Sequence, residues 1–159
     1  MRFFSLATTV ALCYFFLSCT SESKQSTEPD QSAEKSIRTA VESLFEAFNR
    51  HDLAAVKALY TEDAVMIAPP FEEITTGREN VGKHYAQLFS IPDVRDSVIS
   101  TDIVGDKAFV EFVSTGTIDM PSGKRTFALN IFTILYFEGG LIYKDVTYYD
   151  QEQLNRQLQ

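Results

Sequence analysis

The sequence predicts an α+β domain in which helices lead and an antiparallel sheet follows. Two observations carry this. Between residues 35 and 90, apolar side chains recur at helical spacing; between residues 94 and 149 they alternate with polar ones, in runs separated by turn signals. Helices segregated before strands give a two-layer α+β architecture.

The predicted domain spans residues 35–159. Ile37, Val41, Leu44, Phe45 and Phe48 form one apolar stripe and define the first helix. Asp52 stands before Leu53, Val56 and Leu59 as the cap of a short second helix. Val65 to Ala68 reads as a short strand stopped by Pro69 and Pro70, and Phe71 to Thr76 as a loop. Gly77 precedes a third helix with Val81, Tyr85, Leu88 and Phe89 on one face.

Four strands are then expected at 94–103, 107–118, 126–137 and 141–149. Gly105-Asp106, Pro121-Ser122-Gly123 and Gly139-Gly140 supply the turns between them. Asp150 to Gln159 reads as a polar tail. The third of these strands is apolar on both faces, which predicts cover on its outer side by a second copy of the subunit.

The chain begins differently. Arg2 is followed by an apolar stretch from Phe3 to Leu17, broken only by Ser5, Thr8 and Thr9. A basic start and an apolar run of about 7–15 residues describe an export signal. A bilayer span needs ~20. Phe16-Leu17-Ser18-Cys19 resembles the lipobox of bacterial lipoproteins, which implies cleavage before Cys19 and acylation of its thiol. Cleavage at Ser18 as an ordinary signal peptide is the alternative. Residues 1–18 are therefore assigned to the signal, and 19–34 to a lipidated cysteine with a flexible tether. Thr20 to Ser32 has no large apolar residue to bury. A lipid anchor places the domain in the bacterial cell envelope, on the outer membrane if the host is Gram-negative.

The chain carries a formal −8. Losing residues 1–18, with Arg2 their only charged side chain, leaves 13 basic and 22 acidic residues, a formal −9. Such a surface repels phosphate and argues against nucleic-acid binding. The two cysteines, Cys13 and Cys19, are removed and acylated on this reading, leaving no thiol for a disulfide, zinc site or nucleophile. No His, Cys or carboxylate group has metal-ligand spacing. No glycine-rich phosphate loop is present. Neither a metal nor a cofactor is expected.

Several short segments carry a family resemblance: Phe48-Asn49-Arg50-His51-Asp52-Leu53, Leu59-Tyr60-Thr61-Glu62-Asp63-Ala64 and Thr76-Gly77-Arg78-Glu79. Later come Tyr136-Phe137-Glu138-Gly139-Gly140-Leu141-Ile142, Tyr148-Tyr149-Asp150 and Gln157-Leu158. In order and spacing they resemble the nuclear transport factor two-like superfamily, and within it the SnoaL-like group. The resemblance implies a cone: a curved antiparallel sheet around three helices, with a pocket at the open end. It also implies homodimers through the sheet.

That superfamily holds enzymes and pure binding modules, so fold leaves function open. Against ketosteroid isomerase, the general base falls on Ala68 and the oxyanion donors on Leu44 and Thr133. None of these can do that chemistry. Against limonene epoxide hydrolase, a catalytic Asp falls on Thr147. Tyr60 and Tyr85 match the isomerase's two supporting tyrosines; the alternative is that both are core residues bonded to backbone or water.

On the last strand, period two puts Tyr143, Asp145, Thr147 and Tyr149 on one face, toward the pocket in the epoxide hydrolase register. Asp145 is the candidate catalytic acid or base; the alternative is a solvated rim residue paired with Lys144 or Arg125. His84 reads as a helix-boundary residue, His51 as a solvent-exposed helix end and Glu111 as an outer-face residue.

The expected pocket residues are Leu44, Phe48, Tyr60, Ala68 and Phe71, with Tyr85, Phe89, Thr133, Thr147 and Tyr149. Three functions follow. The first is an exported module binding a small apolar or aromatic molecule. The second is an enzyme of lyase, isomerase or hydrolase type using Asp145 with a pocket tyrosine. The third is an envelope protein-interaction module.

Overall fold

The computed structural model describes residues 31–69 and 74–159. Cys19, the residues read as an export signal and Phe71 lie outside them. The element order is α1 (Gln31–Asn49), α2 (Leu53–Ala58), β1 (Tyr60–Ile67), β2 (Ile74–Thr76), α3 (Arg78–Leu88), β3 (Arg95–Val104), β4 (Lys107–Met120), β5 (Gly123–Glu138), β6 (Leu141–Tyr149) and α4 (Gln151–Leu158).

The strands form one curved, open six-stranded sheet ordered β2-β1-β6-β5-β4-β3. Every neighbouring pair is antiparallel except β1 and β6, which run parallel. The sheet is therefore mixed, not purely antiparallel. β1 leads away into β2 and α3, and the last strand returns beside it in the same direction.

The apolar stripe of α1 buries Ile37, Val41, Leu44, Phe45 and Phe48 against β3 and β4. Phe45 meets Phe112 of β4 edge-on, with centroids 5.0 Å apart; such ring pairs add to the burial of their area. Α1 begins at Gln31, so residues 31–34 are helix and not tether. Glu34 starts the helix with a favourable charge for its N-terminus and pairs with Arg38 one turn on, at 3.0 Å.

Two residues past the end of α1 stands His51, whose φ of 54° is left-handed. Its N–H donates to the Phe48 carbonyl and that of Asp52 to the Ala47 carbonyl. That pattern usually takes glycine at this position. Here the imidazole compensates by stacking on Phe89, with centroids 4.8 Å apart and planes 10° from parallel. His51 is half-buried, not a solvent-exposed helix end.

The Asp52 side chain accepts from the Ala55 N–H at 3.0 Å and caps α2. Gly77 enters α3 at φ 88°, with its N–H on the Ala64 carbonyl at 2.7 Å. The expected loop at 71–76 contains a strand, because β-branched Ile74 to Thr76 pair with Val65 to Ile67 of β1. The expected polar tail folds as α4. Asp150 caps it by accepting from the Gln153 N–H at 2.9 Å. Gln157 bonds both the N–H (2.7 Å) and the carbonyl (3.0 Å) of Ala128. Ala128 lies on β5 beyond the end of its pairing with β6, so one side chain satisfies backbone groups that a strand would otherwise take.

Candidate functional site

The helices and the inner sheet face enclose a cavity of about 330 Å³. Its wall is mostly apolar: Met66 of β1, Leu88 of α3, Phe112 of β4, and Phe127, Leu129 and Ile131 of β5. Leu154 of α4 borders it. Room on the sheet side depends on Gly116, which sits opposite Phe127. A Cβ at position 116 would lie 2.9 Å from the Phe127 ring and 3.1 Å from Ile91. An inner chamber of about 40 Å³ adjoins the cavity. Phe48, Tyr85, Asp96, Phe112, Asp145 and Thr147 border both spaces.

Asp145 is 3% exposed and points inward. It pairs across the ladder with Leu135, and Thr147 with Thr133, so all four share the inner face. Thr133 Oγ1 donates to Asp145 Oδ1 at 2.7 Å and Thr147 Oγ1 to the same oxygen at 3.1 Å. Tyr60 donates to Oδ2 at 2.9 Å. Because Tyr60 spends its proton there, the 2.7 Å contact between the two tyrosines runs from Tyr85 to Tyr60. The result is a relay from Tyr85 through Tyr60 to Asp145. Neither Lys144 nor Arg125 pairs with this carboxylate.

Burial raises the Asp145 pKa, while the donors from Thr133, Tyr60 and Thr147 oppose the rise. Burial, with the neighbouring carboxylate, drives both phenols well above their ordinary range. Tyr60 and Tyr85 therefore remain protonated donors at any physiological pH. His84 lines the same cavity; burial lowers its pKa, with Asp145 pulling the other way. The neutral imidazole is thereby favoured.

Most of the residues expected at the pocket come together. Leu44 and Thr133 line the inner chamber. Ala68 and Tyr149 line the larger cavity, and Phe48, Tyr85, Thr147 and Asp145 line both. Tyr60 sits behind the wall, fully buried, and reaches it through its hydroxyl. Phe89 does not line the cavity. It caps α3 and is held between His51 and Phe48, where the ends of α1 and α3 meet.

Tyr143 does not share the face of Asp145. Tyr136 pairs with Lys144 and Phe137 with Ile142, which leaves Tyr143 as the extra residue of a bulge. A bulge shifts the alternation by one. Tyr143 packs instead against Tyr136 at 6.0 Å, a ring also approached by the ammonium groups of Lys107 and Lys144.

The sequence reading missed Asp96. This second carboxylate lies on β3 opposite Ser114 and borders both spaces. Burial raises its pKa to about 6, and the Ser114 hydroxyl offsets part of the rise. Its Oδ1 is buried with no hydrogen-bond partner. Its backbone is fixed by Asn49, whose side chain exchanges two 2.8 Å bonds with the Asp96 N–H and carbonyl. The available signal was period two from Val94, which is 1% exposed. The hollow is thus not purely apolar, since two carboxylates and a histidine border it. Among the described residues no group of His, Cys, Asp or Glu is placed to hold a metal ion.

Comparison with known proteins agrees with this geometry. The SnoaL-like domain family matches residues 41–144, and the chain belongs to that family. Solved structures share the fold. A candidate SnoaL-like polyketide cyclase from Jannaschia sp. superposes with a TM-score of 0.70 at 19% identity, covering 77% of this chain and 91% of its own. A candidate polyketide cyclase from Xanthomonas campestris gives 0.70 at 19% identity, covering 80% and 99%. A protein with a ketosteroid isomerase-like fold from Catenulispora acidiphila, solved in complex with trimethylamine, gives 0.67 at 23% identity, covering 74% and 90%. A search of curated protein sequences gives no match.

Proposed function

We propose that this chain is an exported, lipid-anchored domain that binds a small, largely apolar or aromatic molecule in its cavity. The observation that carries the reading is a hollow of about 330 Å³ with a mostly apolar wall and a few polar side chains, among them Asp96 and Asp145 where it adjoins the inner chamber, the usual make-up of a small-molecule site. Binding needs no cofactor. The anchor rests on the apolar start of the chain and on Phe16-Leu17-Ser18-Cys19. Acyl chains at Cys19 would hold the domain to an envelope membrane, at about 0.8 kcal/mol per buried methylene. Exposed Phe132 and Tyr148 on the outer sheet face support a homodimer formed through that face.

Native mass spectrometry of protein isolated from its own host tests these points together. The expected result is an acylated chain starting at Cys19, a dimer and a bound apolar compound. A full-length chain or one with a free Cys19 thiol refutes the anchor. Failure to hold either a native ligand or an added apolar fluorophore refutes the binding reading.

A second reading is favoured by Asp145 and Tyr85 meeting at the cavity wall as two ends of one proton relay. It is acid–base catalysis of lyase, isomerase or hydrolase type on a bound small molecule. Asp145→Asn should then abolish turnover and retain binding; full activity in that variant refutes the role.

A further inference from the structure

The two carboxylates that border the inner chamber differ in how they are satisfied. Both oxygens of Asp145 are occupied by three hydroxyl donors. Asp96 Oδ1 is equally shut off from water and has no donor at all. A buried acceptor without a partner is costly to keep. Asn49 nevertheless clamps the backbone on both sides of the Asp96 carboxylate, so the side chain cannot withdraw from the wall by a shift of the strand. No Lys or Arg side chain is among the residues bordering either space. His84, the one basic group there, is discouraged from taking charge by its burial. The aromatic rings of Phe48, Tyr85 and Phe112 border the chamber beside Asp96. A carboxylate with no cation beside it, one free acceptor oxygen and neighbouring aromatic rings together suit a small organic cation.

We propose that the inner end of the cavity is a counter-ion site for a protonated amine on the bound molecule, the Asp96 carboxylate turning about its side-chain bonds so that Oδ1, sealed in the unliganded protein, accepts the N–H. This rests on the binding reading above and adds to it the class of ligand: an amine with an apolar or aryl body, its nitrogen at Asp96 and its body against Phe127, Leu129 and Ile131. The amine supplies the missing donor and keeps Asp96 ionised. The Tyr60–Asp145 pair is already closed and is left undisturbed.

Isothermal titration of the acyl-free domain with N,N-dimethylbenzylamine and its neutral isostere isobutylbenzene tests this. At about pH 8 the amine is cationic and Asp96 ionised. The amine should bind about tenfold or more tighter than the isostere, the scale of a charged hydrogen bond. Asp96→Asn should bring the two within about twofold, and Asp145→Asn should reduce the preference less than Asp96→Asn does. In the unmutated domain the preference should also shrink as pH falls below about 6.

The other titratable groups that border the same spaces are Asp145, His84, Tyr85 and Tyr149, and Arg95, bonded to His51, adjoins Asp96 on β3. The Asp145→Asn variant, titrated in parallel, isolates the contribution of Asp96 to that profile. Equal affinity for amine and isostere overturns the counter-ion site and leaves the binding reading standing. Binding of neither compound overturns both. A preference that survives Asp96→Asn and is lost in Asp145→Asn overturns the assignment to Asp96.

Discussion

Asp96→Asn should make the unliganded protein more stable, not less. Burial moves this carboxyl from an ordinary 3.8 to about 6. At about 1.4 kcal/mol for each tenfold change in proton affinity, that displacement is about 3 kcal/mol of destabilisation once the group is ionised. Asparagine keeps the shape and removes the charge. Its own buried amide also lacks a full set of partners, so the net gain should be about 1–3 kcal/mol.

The pH dependence fixes the cause. The folded state holds the Asp96 proton more tightly than the unfolded chain, so its penalty grows as pH rises from about 4 and is complete above about 6. The variant's advantage should therefore be full at about pH 8 and nearly gone at about pH 4. Urea unfolding followed by circular dichroism at both values measures it. For a domain of this size the gain at about pH 8 corresponds to a rise of about 3–10 °C in Tm. An unchanged or lowered stability at about pH 8, or an equal gain at both values, would refute a buried, uncompensated carboxylate at this position.

Three further outcomes follow from the geometry. Tyr60→Phe removes the hydroxyl joining Tyr85 to Asp145; it should cost about 1–3 kcal/mol in chemical denaturation and raise the Asp145 pKa further, read by carboxyl NMR titration. Gly116→Ala brings a methyl against Phe127 and Ile91; it should destabilise by about 1–3 kcal/mol and weaken binding of an apolar fluorophore, because both neighbours border the cavity. Asn49→Ala deletes the clamp on Asp96, with an expected loss of about 1–3 kcal/mol and faster amide exchange at Asp96 by NMR.

The long strands were legible because period two and glycine turns act locally. β6 starts and ends at the predicted residues, 141 and 149; period two put Asp145 on the face of Thr147 and Tyr149, and the resemblance to limonene epoxide hydrolase aimed that face at the pocket. The bulge at Tyr143 could not be read, since an extra residue in one strand is defined only by the partner it lacks. β2 has three residues, too few for periodicity. Asp96 was hidden because a charged residue within a strand reads as solvent-facing. Its inward direction is set by the packing of α1 and by Asn49, 47 positions away. Α4 was missed because its apolar face is only Leu154 and Leu158, too few positions for periodicity to mark, and Gln157 holds it by hydrogen bonds.

The parallel pairing of β1 with β6 has a consequence for how the molecule assembles. The strand between β1 and β5 is the last one in the sequence. A polypeptide emerging N-terminus first, from a ribosome or through a translocation pore, has β1 waiting without its main neighbour until residue 149 has appeared. Asp145 arrives on that same segment, so Tyr60 and Thr133 gain their acceptor only at this closing step. Such long-range closure slows folding. It keeps the nascent domain open, and therefore threadable, until β6 has been delivered.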